Sequence, residues 1–167
     1  GRPFFLREHL DRLENSAKLV GLKVPISKSE INKIINKLLK INKLNSATIK
    51  IIVTGGISPD GLTYDKNSTI IIITKAIPPR HEEIYKKGIK LITHDFQRNN
   101  SGAKTTDYIT MLKLQNQKER SRAFEILYTN NGLVLEGSTS NIFIFKNNTL
   151  ITPKNNILAG ITRKVVI

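Results

Sequence analysis

The sequence predicts an α/β protein of two lobes, an N-terminal α/β lobe followed by a mostly β lobe. Three observations carry that expectation. Apolar residues recur at helical spacing from Leu6 to Leu39, and the period then changes to β-branched runs starting at Ala47. Beyond a polar, glycine-containing stretch at 96–103, short apolar runs alternate with asparagine-rich turns. The expected division is 1–95 for the first lobe, 96–103 for an interdomain connection and 104–167 for the second lobe.

Leu6, Leu10, Leu13, Ala17 and Val20 fall on one helical face, with Glu8, Asp11, Glu14 and Lys18 between them, and Gly21 ends the pattern. Ser27 and Glu30 form an S-x-x-E capping box for a second helix, whose apolar face is Ile31, Ile34, Ile35, Leu38 and Leu39. Ala47 to Val53 reads as a strand, and Gly55-Gly56 and Ser58-Pro59-Asp60-Gly61 as turns. Thr69 to Thr74 is nearly pure isoleucine, which predicts a strand buried on both faces. Pro78-Pro79 stops it, and Gly88 to Thr93 gives a third strand. Thr105 to Arg120 is expected to be helical. Phe124 to Thr129, Leu133 to Leu135, Asn141 to Lys146 and Thr149 to Thr152 are expected as short strands. Asn130-Asn131-Gly132 and Asn147-Asn148 supply the hairpin turns among them.

Composition narrows the function. The 167 residues lack cysteine, which removes disulfides and thiolate metal sites and permits a reducing compartment; a cytoplasmic location is the expectation. No apolar run approaches the roughly 20 residues that span a bilayer. The net charge of +14 raises the possibility of an anionic partner such as nucleic acid. The basic residues are scattered through every segment, however, and aromatic residues are only 6% of the chain, so no nucleic-acid partner is expected. His9, His81 and His94 show no ligand spacing, and no metal is expected. There is no G-x-S-x-G elbow, Walker A loop or dinucleotide fingerprint. The chain opens on Gly1, and Thr162 to Ile167 reads as the start of a helix; the expectation is a chain cut at both ends.

Four segments remain as carriers of chemistry: His9-Leu10-Asp11-Arg12-Leu13, Ala103-Lys104-Thr105-Thr106-Asp107-Tyr108, Leu135-Glu136-Gly137-Ser138-Thr139-Ser140-Asn141, and Leu158-Ala159-Gly160-Ile161-Thr162-Arg163. Taken singly, each reads as a helix face, a surface lysine, a polar loop or a helix entrance. In this order and spacing they resemble the signature segments of the class IV aminotransferases, the fold type IV enzymes of pyridoxal 5'-phosphate (PLP). That family includes branched-chain aminotransferases, D-amino-acid aminotransferases and aminodeoxychorismate lyases. The opening stretch from Phe4 to Leu13 also looks like the family's first long helix.

The resemblance implies a role for each residue. Lys104 is the Schiff-base lysine, an amine that must be neutral part of the time to attack an imine carbon and to shuttle a proton. Glu136 faces the pyridine nitrogen and keeps it protonated, which makes the ring a better electron sink. Arg12 binds the cofactor phosphate with its planar fork. Ile161 and Thr162 hold the same phosphate at a helix start, where Gly160 allows close approach. Tyr108, four residues after Lys104, would share its side of a helix and contact the phenolic oxygen of PLP. Thr139 lines the ring.

The implied function is transamination between an amino acid and a 2-oxo acid by a homodimer, with branched-chain substrates favoured. The alternative on the same fold is aminodeoxychorismate lyase, which eliminates pyruvate; the alternative of another class is a basic nucleic-acid-binding protein. The chain departs from the family at both ends, where further substrate-pocket and phosphate-binding segments are expected. Its turn at Thr54-Gly55-Gly56 also lacks the arginine that many D-amino-acid aminotransferases carry there.

Overall fold

A computed structural model describes residues 3–79 and 82–167; Gly1 and His81, named above, lie outside them. The chain forms two compact units, Gly1–Arg80 and His81–Ile167.

The first unit holds helices α1 (Leu6–Leu19) and α2 (Lys28–Ile41) and strands β1 (Ala47–Thr54) and β2 (Thr69–Ala76). Helix α1 ends because Gly21, at φ 75°, takes the left-handed conformation that a glycine adopts without a Cβ penalty. There the amide of Leu22 donates to the Ala17 carbonyl and that of Gly21 to the Lys18 carbonyl, closing a Schellman motif. The Ser27–Glu30 capping box forms as expected: the Glu30 amide donates to Ser27 Oγ at 3.2 Å and the Ser27 amide to Glu30 Oε2 at 2.9 Å. The Ser27 hydroxyl, donating to Glu30 Oε2 at 2.6 Å, and then the Ser27 amide hold the Glu30 carboxyl below its ordinary value. Lys28 bridges back to Asp11 at 2.6 Å and Glu14 at 2.9 Å, tying α2 to α1.

Strands β1 and β2 pair antiparallel, with Ile51 opposite Ile72 and Val53 opposite Ile70. One face of this ribbon, Ile49, Ile51, Ile70 and Ile72, packs on the cluster of Leu10, Ile31 and Ile35. The isoleucine run is therefore not buried on both faces as expected. Ile71 points the other way and is 43% exposed. Composition alone could not separate the two cases, because a pure isoleucine run carries no alternation to mark which face is covered.

The second unit begins with the short helix α3 (Glu83–Lys87) and strand β3 (Leu91–Asp95). Strand β3 pairs in parallel with β4 (Glu125–Asn130), which pairs antiparallel with β5 (Leu133–Gly137). The sequence alone places β3 in the first lobe and makes 96–103 a connection. In the structure both lie within the second unit, because a strand's own residues do not say which later strand it will pair with.

Between β3 and β4 run helices α4 (Ile109–Lys113) and α5 (Gln115–Arg120). The expected single helix from Thr105 is absent over 104–108. Its would-be first turn is taken by side-chain contacts: Asp107 Oδ1 accepts from the Ile109 amide at 3.3 Å, and Thr105 Oγ1 from the Asp107 amide at 3.4 Å. Short polar side chains compete with helical bonding in this way.

Two hairpins follow expectation. Asn131 (φ 49°) and Gly132 (φ 76°) join β4 to β5. Asn147 (φ 48°) and Asn148 (φ 59°) join β6 (Ile144–Lys146) to β7 (Thr149–Ile151). Two successive positive φ values make the mirror-image turns whose twist matches the strands. Helix α6 (Ile161–Val166) comes last. Among the described residues, no helix is long and apolar enough to cross a membrane, and no group of three His, Cys, Asp or Glu could hold a metal ion.

Candidate active site

The second unit is organised around one buried carboxylate. Strand β5 delivers Glu136 to the interior, 4% exposed, beside Leu135. A buried carboxylate needs a counter-charge and hydrogen-bond donors, and Arg98 provides both. Its Nε and Nη2 donate to Glu136 Oε1 at 2.9 Å and 2.7 Å. The other oxygen, Oε2, accepts from the Leu158 amide at 2.9 Å.

Arg98 also reaches the backbone. Nη2 donates to the Ser101 carbonyl at 2.9 Å and Nη1 to the Ala103 carbonyl at 3.3 Å. Ala103 is fully buried and Lys104 follows it with its side chain exposed. The planar guanidinium therefore fastens the backbone just before Lys104 to Glu136. Glu136 in turn fastens the backbone two residues before Gly160. Asn141 completes the stitching: its Nδ2 donates to the Leu158 carbonyl at 2.9 Å. A Cβ on Gly160 would run into Asn141 Oδ1, so a side chain there would displace Asn141 from this contact.

Three of the four sequence segments thus meet within the second unit, and Arg98 joins them. Sequence reading misses Arg98, because it stands in a stretch whose asparagines and glycine resemble a connection. The available signal is a single arginine five residues before Ala103, in a segment with no other charge. Leu158 escapes notice because its contribution is a main-chain amide, which any residue other than proline provides.

The remaining candidates fall as follows. Tyr108 is half-buried at the entrance of α4 with φ −112°; with 104–108 non-helical, the helical-turn relation to Lys104 expected from sequence does not hold. Thr139 is exposed, and both its amide and its Oγ1 donate to Glu125 Oε1, at 2.6 Å and 2.8 Å. Ile161 is buried and Thr162 exposed in the first turn of α6, where main-chain N–H groups lack helical partners. Arg163 donates from Nη2 to the Pro153 carbonyl at 2.9 Å, while its buried Nε has no partner among the described residues. Arg12 belongs to the first unit, on α1. It lies 3.4 Å from His9 Nδ1, and partial burial pushes its guanidinium below the ordinary value.

Aromatic packing backs the carboxylate. Tyr128 on β4 is 3% exposed and meets Phe96 edge-on at 5.1 Å between ring centroids. Burial, above all, raises the tyrosine's pKa. A cleft of about 190 Å³ is lined by Ile89, Leu91, Glu125 and Leu127 and by Gly137, Ser140 and Asn141 of the third segment, but Lys104, Glu136, Thr139, Ile161 and Thr162 do not line it. The chemistry is therefore placed by the hydrogen-bonded cluster and not by that cleft.

The donor set suits PLP. It contains a primary amine, a buried charge-balanced carboxylate able to face a protonated ring nitrogen, and a glycine-entered helix start of free amides for an anion.

Known proteins resemble this chain over its whole length. The model of the family described as Amino-transferase class IV matches residues 1–167. A protein of Methanocaldococcus jannaschii, assigned as a branched-chain-amino-acid aminotransferase, is 36% identical over 100% of this chain and 60% of its own length. The aminodeoxychorismate lyase of Bacillus subtilis is 31% identical, again over 100% of this chain and 60% of its own. Among solved structures, the branched-chain amino acid aminotransferase from Escherichia coli superposes with a TM-score of 0.80 at 25% identity, covering 98% of this chain and 56% of that one. The chain spans about 60% of the length of the curated relatives it matches.

Proposed function

Because the chain belongs to the class IV aminotransferase family, we propose that it is the part of a PLP enzyme that binds the cofactor and transfers an amino group between an amino acid and a 2-oxo acid. The observation that carries the reading is the Arg98–Glu136 ion pair, which joins the backbone before Lys104 to the backbone before Gly160.

When bound, PLP supplies an electron sink for the pair left behind as the substrate α-carbon loses its proton. The chain's residues do the rest. Lys104 Nζ holds the cofactor between turnovers and carries the α-proton during them. Glu136 would accept a hydrogen bond from the protonated ring nitrogen and keep the proton on it. Arg98 fixes that carboxylate's direction. The amides of Ile161 and Thr162 would receive the phosphate, and Arg12 is the proposed charged ligand to it. Tyr108 would contact the phenolic oxygen and Thr139 would line the ring. Because the Thr139 hydroxyl donates to Glu125, it has only its methyl group and an acceptor lone pair to offer the ring.

Branched-chain amino acids are the favoured substrates, in line with the name of the M. jannaschii relative. A second reading, elimination of pyruvate from aminodeoxychorismate, is supported by the name of the B. subtilis relative. We place the full-length protein in the cytoplasm as a homodimer; a cysteine-free chain is compatible with a reducing compartment.

Borohydride reduction of the PLP-loaded full-length protein, followed by peptide mapping, tests the assignment. The label is expected on Lys104 and lost in Lys104→Ala; a label on another lysine refutes it. A panel of amino acids with 2-oxoglutarate, set beside pyruvate release from aminodeoxychorismate, separates the two activities.

A further inference from the structure

A second carboxylate stands behind the first. Glu125 opens β4, and side chains alternate along a strand, so Glu125 and Leu127 lie opposite to Ile126 and Tyr128. It is half-buried and faces the turn that follows Glu136. Every residue of that turn donates to it. Oε1 accepts from the Thr139 amide at 2.6 Å, Thr139 Oγ1 at 2.8 Å and Ser138 Oγ at 3.3 Å, and Oε2 accepts from Ser140 Oγ at 2.8 Å.

Ordinary turns close on themselves through one main-chain bond or one short polar side chain. This one closes on a side chain of the neighbouring strand, which has nearly all its acceptor capacity committed to three consecutive residues. The approach is close enough to constrain the residue before the turn. A Cβ on Gly137 would come within 2.9 Å of Glu125 Cδ and would also strike Ser140 Oγ. The main chain adds one bond from the same place, the Ser138 amide donating to the Ile126 carbonyl at 2.8 Å. The end of β5 is therefore held to β4 by both side chain and main chain immediately after Glu136.

We propose that Glu125 is a positioning residue: it is the template on which Ser138, Thr139 and Ser140 fold, and through them it fixes where Glu136 and Thr139 present themselves to the cofactor. This rests on the reading of Glu136 as the carboxylate at the ring nitrogen. The role is one of reach and acceptor geometry more than of charge. A glutamine keeps the length, and its amide oxygen can retain the three contacts of Oε1. Its NH2 group can donate to Ser140 Oγ, because a hydroxyl accepts as well as donates. An aspartate keeps the charge and loses a methylene, which draws both oxygens away from the turn.

The test compares Glu125→Gln and Glu125→Asp in the full-length PLP enzyme, with thermal unfolding of each apoprotein as a check that both fold. PLP affinity is read by titrating apoprotein with PLP, and the pH midpoint of the bound cofactor's absorbance is read at saturating PLP. Glu125→Gln is expected to stay close to wild type in both. Glu125→Asp is expected to weaken PLP binding by on the order of tenfold, the ratio that loss of one charge-assisted hydrogen bond produces, and to shift the absorbance midpoint. A purely local support for the turn would lower the melting temperature and move neither cofactor readout. Wild-type affinity and midpoint in Glu125→Asp overturn the inference, as does a Gln variant as impaired as the Asp one. Wild-type protein that never acquires PLP on Lys104 would instead refute the assignment on which the inference depends.

Discussion

Replacing Arg98 by methionine keeps most of the side-chain volume and removes the fork. The consequence follows from the bonds it makes. Glu136 would keep only the Leu158 amide, with its side chain 6% exposed and its counter-ion, itself 18% exposed, gone. Breaking a buried pair by deleting one partner costs about 3–5 kcal/mol, because the surviving charge remains desolvated. The Ser101 and Ala103 carbonyls would also lose their donor, at roughly 1 kcal/mol each where water does not replace it. Against the ~5–15 kcal/mol by which domains are stable, Arg98→Met should stand close to unfolding at room temperature. The sign of a second substitution tells more than the size of the first. If the damage comes from a stranded carboxylate, Glu136→Gln added to Arg98→Met should recover stability, although Glu136→Gln alone lowers it. Urea unfolding of the four proteins, followed by circular dichroism, gives the cycle. A loss below about 1 kcal/mol for Arg98→Met, or a double variant less stable than Arg98→Met, would show that the pair does not organise the unit.

Arg12→Ala should weaken PLP binding by on the order of 1.5–3 kcal/mol, the worth of a charge-assisted contact; unchanged affinity in a titration would remove Arg12 from the phosphate site. Glu136→Gln should leave PLP bound and slow turnover sharply, since the amide preserves size without holding a proton on the ring nitrogen; turnover within about twofold of wild type would contradict the role. Asp60 accepts bonds from the Leu62 and Thr63 amides and from the Ser58 and Thr63 hydroxyls, which hold its carboxyl far below the ordinary range. A depressed folded value means that its contribution is complete above the unfolded pKa of about 4 and is lost only as pH falls through the folded one. Hydrogen exchange at Leu62 and Thr63 should therefore stay slow at a pH of about 4; acceleration centred there would refute the bonding pattern.

Features with local physical causes were legible in the sequence. The capping box at Ser27 and Glu30, the stop at Gly21 and the two asparagine turns each depend on residues a few positions apart, and each formed. What stayed hidden depends on partners far along the chain. Nothing local told strand β3 that it would pair with β4, or told Arg98 that its partner was Glu136. The helix expected from Thr105 failed at its first turn, because spacing of apolar residues does not weigh the competition from Thr105 and Asp107 side chains. At the candidate site, the lysine, the carboxylate and the glycine-entered helix stood out as residue types. The main-chain amide of Leu158 and the carbonyls of Ser101 and Ala103 could not, since nearly every residue carries them. Glu125 lay outside the signature segments altogether, although it organises one of them.

The parallel pairing of β3 with β4 also sets an order of events as the chain folds. Leu91 cannot meet Glu125 until the whole intervening crossover has been closed, and loop closure is an entropic cost incurred before any contact repays it. Lys104 and Arg98 both ride on that crossover, while Glu136 sits on the strand beyond it. The asparagine hairpins can close on their own residues in microseconds; the lysine and its carboxylate acquire their relative positions only when the slow, non-local step is complete. The relative placement of Lys104 and Glu136 thus depends on a non-local pairing that the chain must close before the two can face one cofactor.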